Sequence, residues 1–468
     1  NYYFNHLKIN RQMKKKLYIT AIAAMGFVGL GHSQAQNPEC MTNLSIYTEH
    51  VKVKNYEAAY TPWKMVYENC PTLNWANILY GERILKDRLE KATGADKTAN
   101  INALMELYDN RAKYFPAKTD VAETIIDKVL LKYDEKMITD EEIYTQLDKA
   151  FTEDKANFKN PKALYLYFSS LVDLNSAGKR DVEEVFEKYD NITEKIDEEN
   201  EKLTEVINKL LPKEDAGTLT SKEKKQLSSY NSYSESYGKI AESIDSKLGA
   251  LANCENLIPL YQKNFDAKKG DITWVKRAVG RMYSKECTED PMFKKLFEVQ
   301  LALEPSASAY MYGGALKNNA GDTNGAIADF NKALELETDS KKKSNIAYKI
   351  AHSYIRKSKS TARSYAQKAI DANPSNGKAY LLIASLYAGS ANECGSTPFE
   401  KRAIYWKAED MARQAGRVDP ALSGRAGQAA ASYSAKAPSK TDIFNSGMAG
   451  KTVSFSCWVG GSVKVPNL

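Results

Sequence analysis

A helical repeat of about 34 residues constrains the fold of this 468-residue chain more than any other feature. The clearest copy spans Tyr310–Thr338, with small residues where two helices must approach closely and Phe330 in the space between them. Two further copies end at Pro374 and Pro420. Pro305 and Pro374 lie 69 residues apart, which is two periods. Each copy predicts a pair of antiparallel helices that buries its apolar face against the next pair.

These units resemble the tetratricopeptide repeat family, in which a helix–turn–helix unit closes on a proline. The N-terminal segment NYEAAYTPWKMVYENCP is similar, with Ala59, Trp63 and Pro71 at the small, aromatic and proline positions. Weaker copies end at Pro116 and Pro305. The resemblance implies an all-α, right-handed helical solenoid that binds proteins or peptides. The basic residues with which the family clamps peptides have no recognisable counterpart here, so no peptide-binding residue carries over.

Two long amphipathic segments interrupt the repeats. Apolar residues recur at steps of three and four over Val182–Leu210, broken only by Glu199, and again over Leu227–Leu248. The polar stretch Pro212–Ser221 lies between them, which predicts an antiparallel hairpin of helices about 45 Å long. Near the C-terminus, the alternation in KTVSFSCWVGGSVKV predicts a small β-hairpin that turns at two glycines.

These patterns divide the chain into six segments. They are an N-terminal extension with a signal peptide (1–35), degenerate helical repeats (36–180), the long hairpin (181–252), one degenerate repeat (253–304), tetratricopeptide-like repeats (305–436) and a C-terminal tail with the β-hairpin (437–468). We therefore expect an all-α solenoid with an inserted helical hairpin and a small C-terminal β-hairpin.

The N-terminal segment has the composition of an export signal. Three lysines, Lys14–Lys16, precede the apolar run Leu17–Leu30, and small residues follow up to Ala35. The run is too short to span a bilayer, which needs about 20 residues. We expect cleavage after Ala35 and a mature chain without a transmembrane segment, periplasmic or associated with the outer membrane. A buried N-terminal helix is the alternative, and Met13 leaves open whether residues 1–12 are translated.

Six cysteines lie beyond this signal, an even number that suggests disulfide bonds in an exported chain. Six cysteines allow 15 connectivities, and six free buried thiols are the alternative. Each of the first two sequential pairs encloses two helical patterns, whose outer ends meet in an antiparallel helix pair. The spacing thus predicts Cys40–Cys70 and Cys254–Cys287, and elimination leaves Cys394–Cys457.

Charge and motif content argue against nucleic-acid binding and catalysis. The net charge is +7, but residues 1–35 contribute five basic and no acidic residues, which leaves +2 on the remainder. After signal removal only His50 and His352 remain, and neither lies in a catalytic or metal-binding motif. The acidic cluster Asp197-Glu198-Glu199 is interpreted as a solvent-facing helix surface. We expect no enzyme activity, no cofactor and no metal.

The favoured function is a non-catalytic scaffold that binds a protein or peptide partner outside the cytoplasm. The signal peptide and the repeats together resemble exported bacterial tetratricopeptide repeat proteins of cell-envelope complexes, and this resemblance implies a partner in the bacterial cell envelope. First helices of successive repeats line the concave side of such arrays, so we expect the partner on that face. The candidate contacts, in order along the chain, are Asn345, Lys349, Ser353, Lys378 and Leu382. The alternative is a glycan- or peptidoglycan-binding envelope protein, motivated by 29 Tyr and 5 Trp that could stack on sugars.

Overall fold

The computed structural model describes residues 37–249 and 251–468, which form two compact units, one ending at Phe115 and one beginning at Pro116. The predicted signal peptide and its cleavage point lie outside these residues. No helix in the described ranges is both long enough and apolar enough to cross a bilayer.

The first unit consists of two helix pairs, built from α1 (Pro38–Lys52), α2 (Tyr56–Asn69), α3 (Ala76–Lys91) and α4 (Gly94–Tyr114). The buried amide of Asn77 connects the helices. This side-chain amide accepts a hydrogen bond from the Tyr47 hydroxyl at 2.7 Å and donates one to the Cys70 carbonyl at 3.1 Å. The main-chain carbonyl of Asn77 accepts a hydrogen bond from the Trp63 indole at 2.8 Å. Trp63 therefore occupies a core position, as the repeat pattern predicts.

The second unit contains the remaining helices of the described chain. They are α5 (Val121–Asp134), α6 (Asp140–Glu153), α7 (Pro161–Ser176), α8 (Val182–Asp215), α9 (Ser221–Gly249), α10 (Cys254–Lys268), α11 (Ile272–Ser284), α12 (Pro291–Leu303), α13 (Ala307–Asn319), α14 (Thr323–Leu336), α15 (Ser340–Tyr354), α16 (Lys359–Ala372), α17 (Gly377–Ala388), α18 (Pro398–Val418), α19 (Ser423–Lys436) and α20 (Lys440–Ser446). A 3-10 helix, Pro420–Leu422, joins α18 to α19.

The three pairs α13–α14, α15–α16 and α17–α18, called the array below, follow the predicted repeat. The first helix of each pair has an N-cap residue whose side chain accepts a hydrogen bond from a backbone N–H of the first turn. These residues are Ser306, Asp339 and Asn376. Small residues allow close packing within each pair. A Cβ at Gly314 would lie 2.6 Å from the Phe330 ring, so the aromatic side chain fills the space that the glycine leaves.

The long helices α8 and α9, called the hairpin below, have 34 and 29 residues, and α8 is about 50 Å long. The predicted inserted hairpin is confirmed, with two corrections. Helix α8 continues through Pro212 to Asp215, although Pro212 has no N–H to donate to the Asn208 carbonyl. Tyr233, predicted to lie in the apolar seam, is 53% exposed, whereas its neighbour Ser234 is fully buried.

Glu199, the residue that interrupts the seam, is buried in a charge network. It lies 2.6 Å from the Nζ of the fully buried Lys195 and 2.8 Å from that of Lys202. Burial alone would raise the pKa of Glu199, but the hydrogen bonds from the two lysines lower it below its ordinary value. The interruption is therefore a satisfied buried ion pair.

The C-terminal tail ends in the predicted β-hairpin, with β1 (Thr452–Ser454) antiparallel to β2 (Ser462–Lys464) and Val453 opposite Val463. Two short strands are marginal alone, so their stability depends on docking. Phe455 and Val465 are buried, and β2 packs against α18, which supplies that contact. The all-α class with these two hairpins is thus confirmed.

Three disulfides pair all six cysteines: Cys40–Cys70, Cys254–Cys287 and Cys394–Cys457. These are the pairs that spacing and elimination predict. The first joins the start of α1 to the end of α2, and the second joins the start of α10 to the turn after α11. The third connects the loop after α17 to the β-hairpin.

Candidate functional site

The hairpin lies against one edge of the array and encloses a cleft of about 710 Å³. One wall consists of residues from α8 and α9. The other, called the array wall below, consists of the N-terminal ends of α15 and α17 of the array, the N-terminal end of the adjoining α19 and the turns that precede these helices. A volume of this size is in the range of pockets that hold small ligands or short segments of chain. The candidate surface predicted for the array is therefore partly covered by the chain itself.

Direct contacts attach the hairpin to the array at the end of the cleft. A Cβ at Gly238 of α9 would lie 1.8 Å from the Ala421 carbonyl oxygen, so the helix backbone packs directly on the 3-10 helix. On α8, the Asn208 amide donates to the Ser375 hydroxyl at 2.7 Å and to the Val418 carbonyl at 3.1 Å. These contacts hold α8 and α9 against the array.

A second set of contacts surrounds these. Asn200 donates to the Asp419 carboxylate at 3.2 Å and accepts from the buried Ser234 hydroxyl at 2.6 Å. Burial raises the pKa of Asp419, and the hydrogen bond from Asn200 offsets part of that rise. An apolar cluster that includes Ile207 of α8 and Val418 of α18 completes the attachment.

One lysine of the array reaches the hairpin wall. The Nζ of Lys341 lies 2.9 Å from Glu201 and 2.7 Å from Glu205. The hydrogen bond from Lys341 lowers the pKa of Glu205. Burial would lower the pKa of Lys341, but the two carboxylates raise it above its ordinary value. Here the two walls of the cleft are close enough to pair.

Elsewhere in the cleft the opposed charges do not pair. The hairpin wall carries Asp197 and Glu242, and the array wall carries Lys342, Lys378 and Arg425. All five side chains are exposed, and within residues 37–249 and 251–468 none of them makes a hydrogen bond or ion pair. Although its side chain is partly exposed, Asp197 is surrounded by protein on the cleft side, and the loss of water there raises its pKa. The nearby Lys378 ammonium offsets only part of that rise.

The structure separates the five predicted contact residues into three groups. Asn345 and Lys378 line the cleft. Lys349 and Ser353 contact α13 instead: the Lys349 ammonium lies 3.4 Å from the Tyr312 hydroxyl, and the Ser353 carbonyl accepts from Asn318 at 3.3 Å. Leu382 was expected on the surface but is only 8% exposed, because its side of α17 belongs to the core. The prediction that Leu382 is exposed is therefore wrong.

The acidic wall was missed by sequence reasoning, which assigned the cluster around Asp197 to solvent. A signal was present, because Glu194, Asp197, Glu201 and Glu205 follow at steps of three and four and so share one face of α8. What the pattern lacked was any indication that another element covers that face.

The described residues hold no group of three or more His, Cys, Asp or Glu side chains suited to a metal ion. His352 is exposed on α15, and His50 lies in the last turn of α1. The many aromatic side chains mostly pack with one another, as in the stacked pair Tyr354–Tyr365 at 5.9 Å. Among the described residues, the three most exposed rings, Tyr133, Tyr233 and Phe444, belong to different helices.

No protein-family model and no curated protein matches the sequence. Among solved structures, the chain is similar to a tetratricopeptide repeat protein from Parabacteroides merdae, with 12% identity over 67% of this chain and 99% of that one and a TM-score of 0.25. It is also similar to yeast Tom70 (11% identity, 85% and 96% covered, TM-score 0.22). A third similar structure is a chain of the APC/C hetero-tetramer Cut9–Hcn1 (12% identity, 84% and 97% covered, TM-score 0.25).

The fold is assigned from the spacing and packing of the helices. The first helices of the array begin at Ala307, Ser340 and Gly377, 33 and 37 residues apart, and each packs on the helix that follows. Buried alanines and Phe330 occupy the contact positions, as the repeat pattern requires. The described chain is therefore an all-α protein of tetratricopeptide-like helix pairs, as the sequence resemblance implied.

Proposed function

We propose that this chain is a non-catalytic scaffold that binds a segment of another protein in the cleft between the hairpin and the array. The observation that carries the proposal is the set of opposed, unpaired charges in the cleft. Unpaired charged side chains that face each other across a gap are suited to recognising a charged partner by complementarity.

Site-specific photo-crosslinking tests where the partner binds. A photo-reactive amino acid at Asn345 or Lys378 is expected to give a protein adduct in cells, because both positions line the cleft. The matched control is His352, which is exposed on the same helix as Asn345 but does not line the cleft. Adducts of equal yield from all three positions would contradict the proposal.

We propose further that the chain acts outside the cytoplasm, in the bacterial cell envelope. Three disulfides that use every cysteine support an oxidising compartment. Fractionation of the native host, combined with labelling of free thiols in intact cells, tests this placement. Recovery in the cytoplasmic fraction with reactive thiols would contradict it.

Glycan or peptidoglycan binding is the second candidate, and the exposed aromatic side chains give it little support. Sugar binding by stacking requires accessible rings that face one ligand, whereas the three most exposed rings of residues 37–249 and 251–468 lie on α5, α9 and α20. Sedimentation with purified cell wall separates the two functions. Retention on cell wall without a protein adduct from Asn345 would favour the glycan candidate.

A further inference from the structure

The kind of segment that fits the cleft can be inferred from its walls, and this inference rests on the proposed function. The hairpin is attached to the array through the Gly238–Ala421 packing and the Asn208 hydrogen bonds, so the cleft is bounded on two sides. Its volume of 710 Å³ is that of a ligand pocket and far below what a folded domain occupies. Of the occupants that a pocket of this size admits, the proposed function selects a short stretch of extended chain.

The distribution of charge on the two walls indicates which side chains the bound segment should have. Where the walls approach each other, at Lys341 and Glu205, opposite charges pair directly at 2.7 Å. Farther along the cleft, Asp197 and Glu242 on the hairpin pair with none of the basic residues on the array, although all line the same space. The gap between these side chains is therefore too wide for a direct ion pair. An extended segment in the gap would fill it by pointing one row of side chains at the hairpin wall and the other row at the array wall.

The array wall has a second source of positive potential. The N-terminal ends of α17 and α19 lie at this wall, and the aligned peptide dipoles of a helix place partial positive charge at its N-terminus. The two carboxylates of the same wall, Asp339 and Asp419, already accept hydrogen bonds from backbone N–H groups of α15 and from the Asn200 amide. Acidic groups of a partner are thus favoured on the array side and basic groups on the hairpin side. In an extended chain, successive side chains point in opposite directions.

We propose that the cleft binds an extended peptide segment in which basic and acidic side chains alternate. The basic side chains pair with Asp197 and Glu242, and the acidic side chains pair with Lys378 and Arg425. A segment of uniform charge satisfies only one wall and is repelled by the other. In a segment with a block of basic residues followed by a block of acidic ones, side chains of each sign point at both walls, so half of them meet a wall of the same sign.

Two labelled peptides of equal composition test this inference on the purified chain. One has eight residues of alternating Lys and Glu, and the other has four Lys followed by four Glu. Fluorescence anisotropy at low salt is expected to show the alternating peptide binding about tenfold more tightly. Equal affinities, tighter binding of the block peptide or of octalysine, or no binding of the alternating peptide would overturn the inference.

Wall variants locate the binding and separate it from folding. Asp197→Asn and Lys378→Gln are each expected to weaken the alternating peptide by about threefold to tenfold while leaving the melting temperature unchanged. The controls Glu153→Gln and Lys225→Gln change exposed residues outside the cleft and should have no effect. Wild-type affinity in both wall variants would overturn the inference. If the peptides fail while Asn345 still crosslinks a protein, the proposed function stands and only the segment type is wrong.

Discussion

The array and the hairpin both pack helices side by side, but they use different residues at the contacts. In the array the contact positions are small, such as the fully buried Ala351 and Gly314, which leaves room for Phe330. In the hairpin the buried positions include charged residues, the fully buried Lys195 and Glu199, which is 7% exposed. Packing by shape responds to changes of volume, whereas a buried charge depends on a specific partner. The two regions should therefore fail in different ways.

The largest effect is expected in the array, from Ala351→Arg. The change introduces a long charged side chain at a position without solvent contact, so the free energy of unfolding should fall by more than about 4 kcal/mol. Thermal denaturation followed by circular dichroism measures this. His352→Arg places the same side chain on the exposed neighbouring position and should be nearly neutral. Similar melting curves for the two variants would contradict the packing described for α15.

In the hairpin, Lys195→Met should lower the free energy of unfolding by about 2–4 kcal/mol, because it leaves Glu199 buried with only Lys202 as a partner. Denaturant titration measures the loss. The double variant Lys195→Met/Glu199→Leu removes both charges and should recover most of it. If the double variant is less stable than the single one, the pair contributes more than charge compensation.

The attachment between the two regions is probed by Gly238→Ala. The added methyl group would overlap the Ala421 carbonyl, so α9 and the 3-10 helix must separate, at a cost of about 1–3 kcal/mol. Hydrogen exchange in residues 417–425 should become faster. Gly249→Ala in the same helix meets no atom within 4 Å and serves as the control. Unchanged exchange in the first variant would show that the attachment tolerates movement.

The smallest effect is expected from Lys341→Gln, which removes the partly exposed ion pairs with Glu201 and Glu205. Such pairs contribute less than about 1 kcal/mol. Because the pKa of Glu205 is lowered from 4.5, its contribution is complete above that pH and disappears as the pH falls through the lowered value. The difference in melting temperature between wild type and variant should therefore vanish in acid and in high salt. A difference that persists at low pH would contradict the assignment to these carboxylates.

The sequence by itself determined the features that repeat or follow a helical period. The positions of Gly314 and Phe330, the seam of the long hairpin and the alternation in the C-terminal strands all reflect local spacing. Each arises because neighbouring turns of a helix or neighbouring strand positions share a face. Two disulfide pairs followed as well, since the outer ends of an antiparallel helix pair lie together, and elimination gave the third.

Only the tertiary structure decided which surface of the array remains open. Asn208 reaches Ser375 across 167 residues of sequence, and no local pattern marks such a contact. The same long-range packing buries Leu382 and brings the acidic face around Asp197 opposite Lys378, although each residue alone resembles an ordinary helix position. Periodicity specifies which face of a helix is polar, but what covers that face depends on where distant parts of the chain pack.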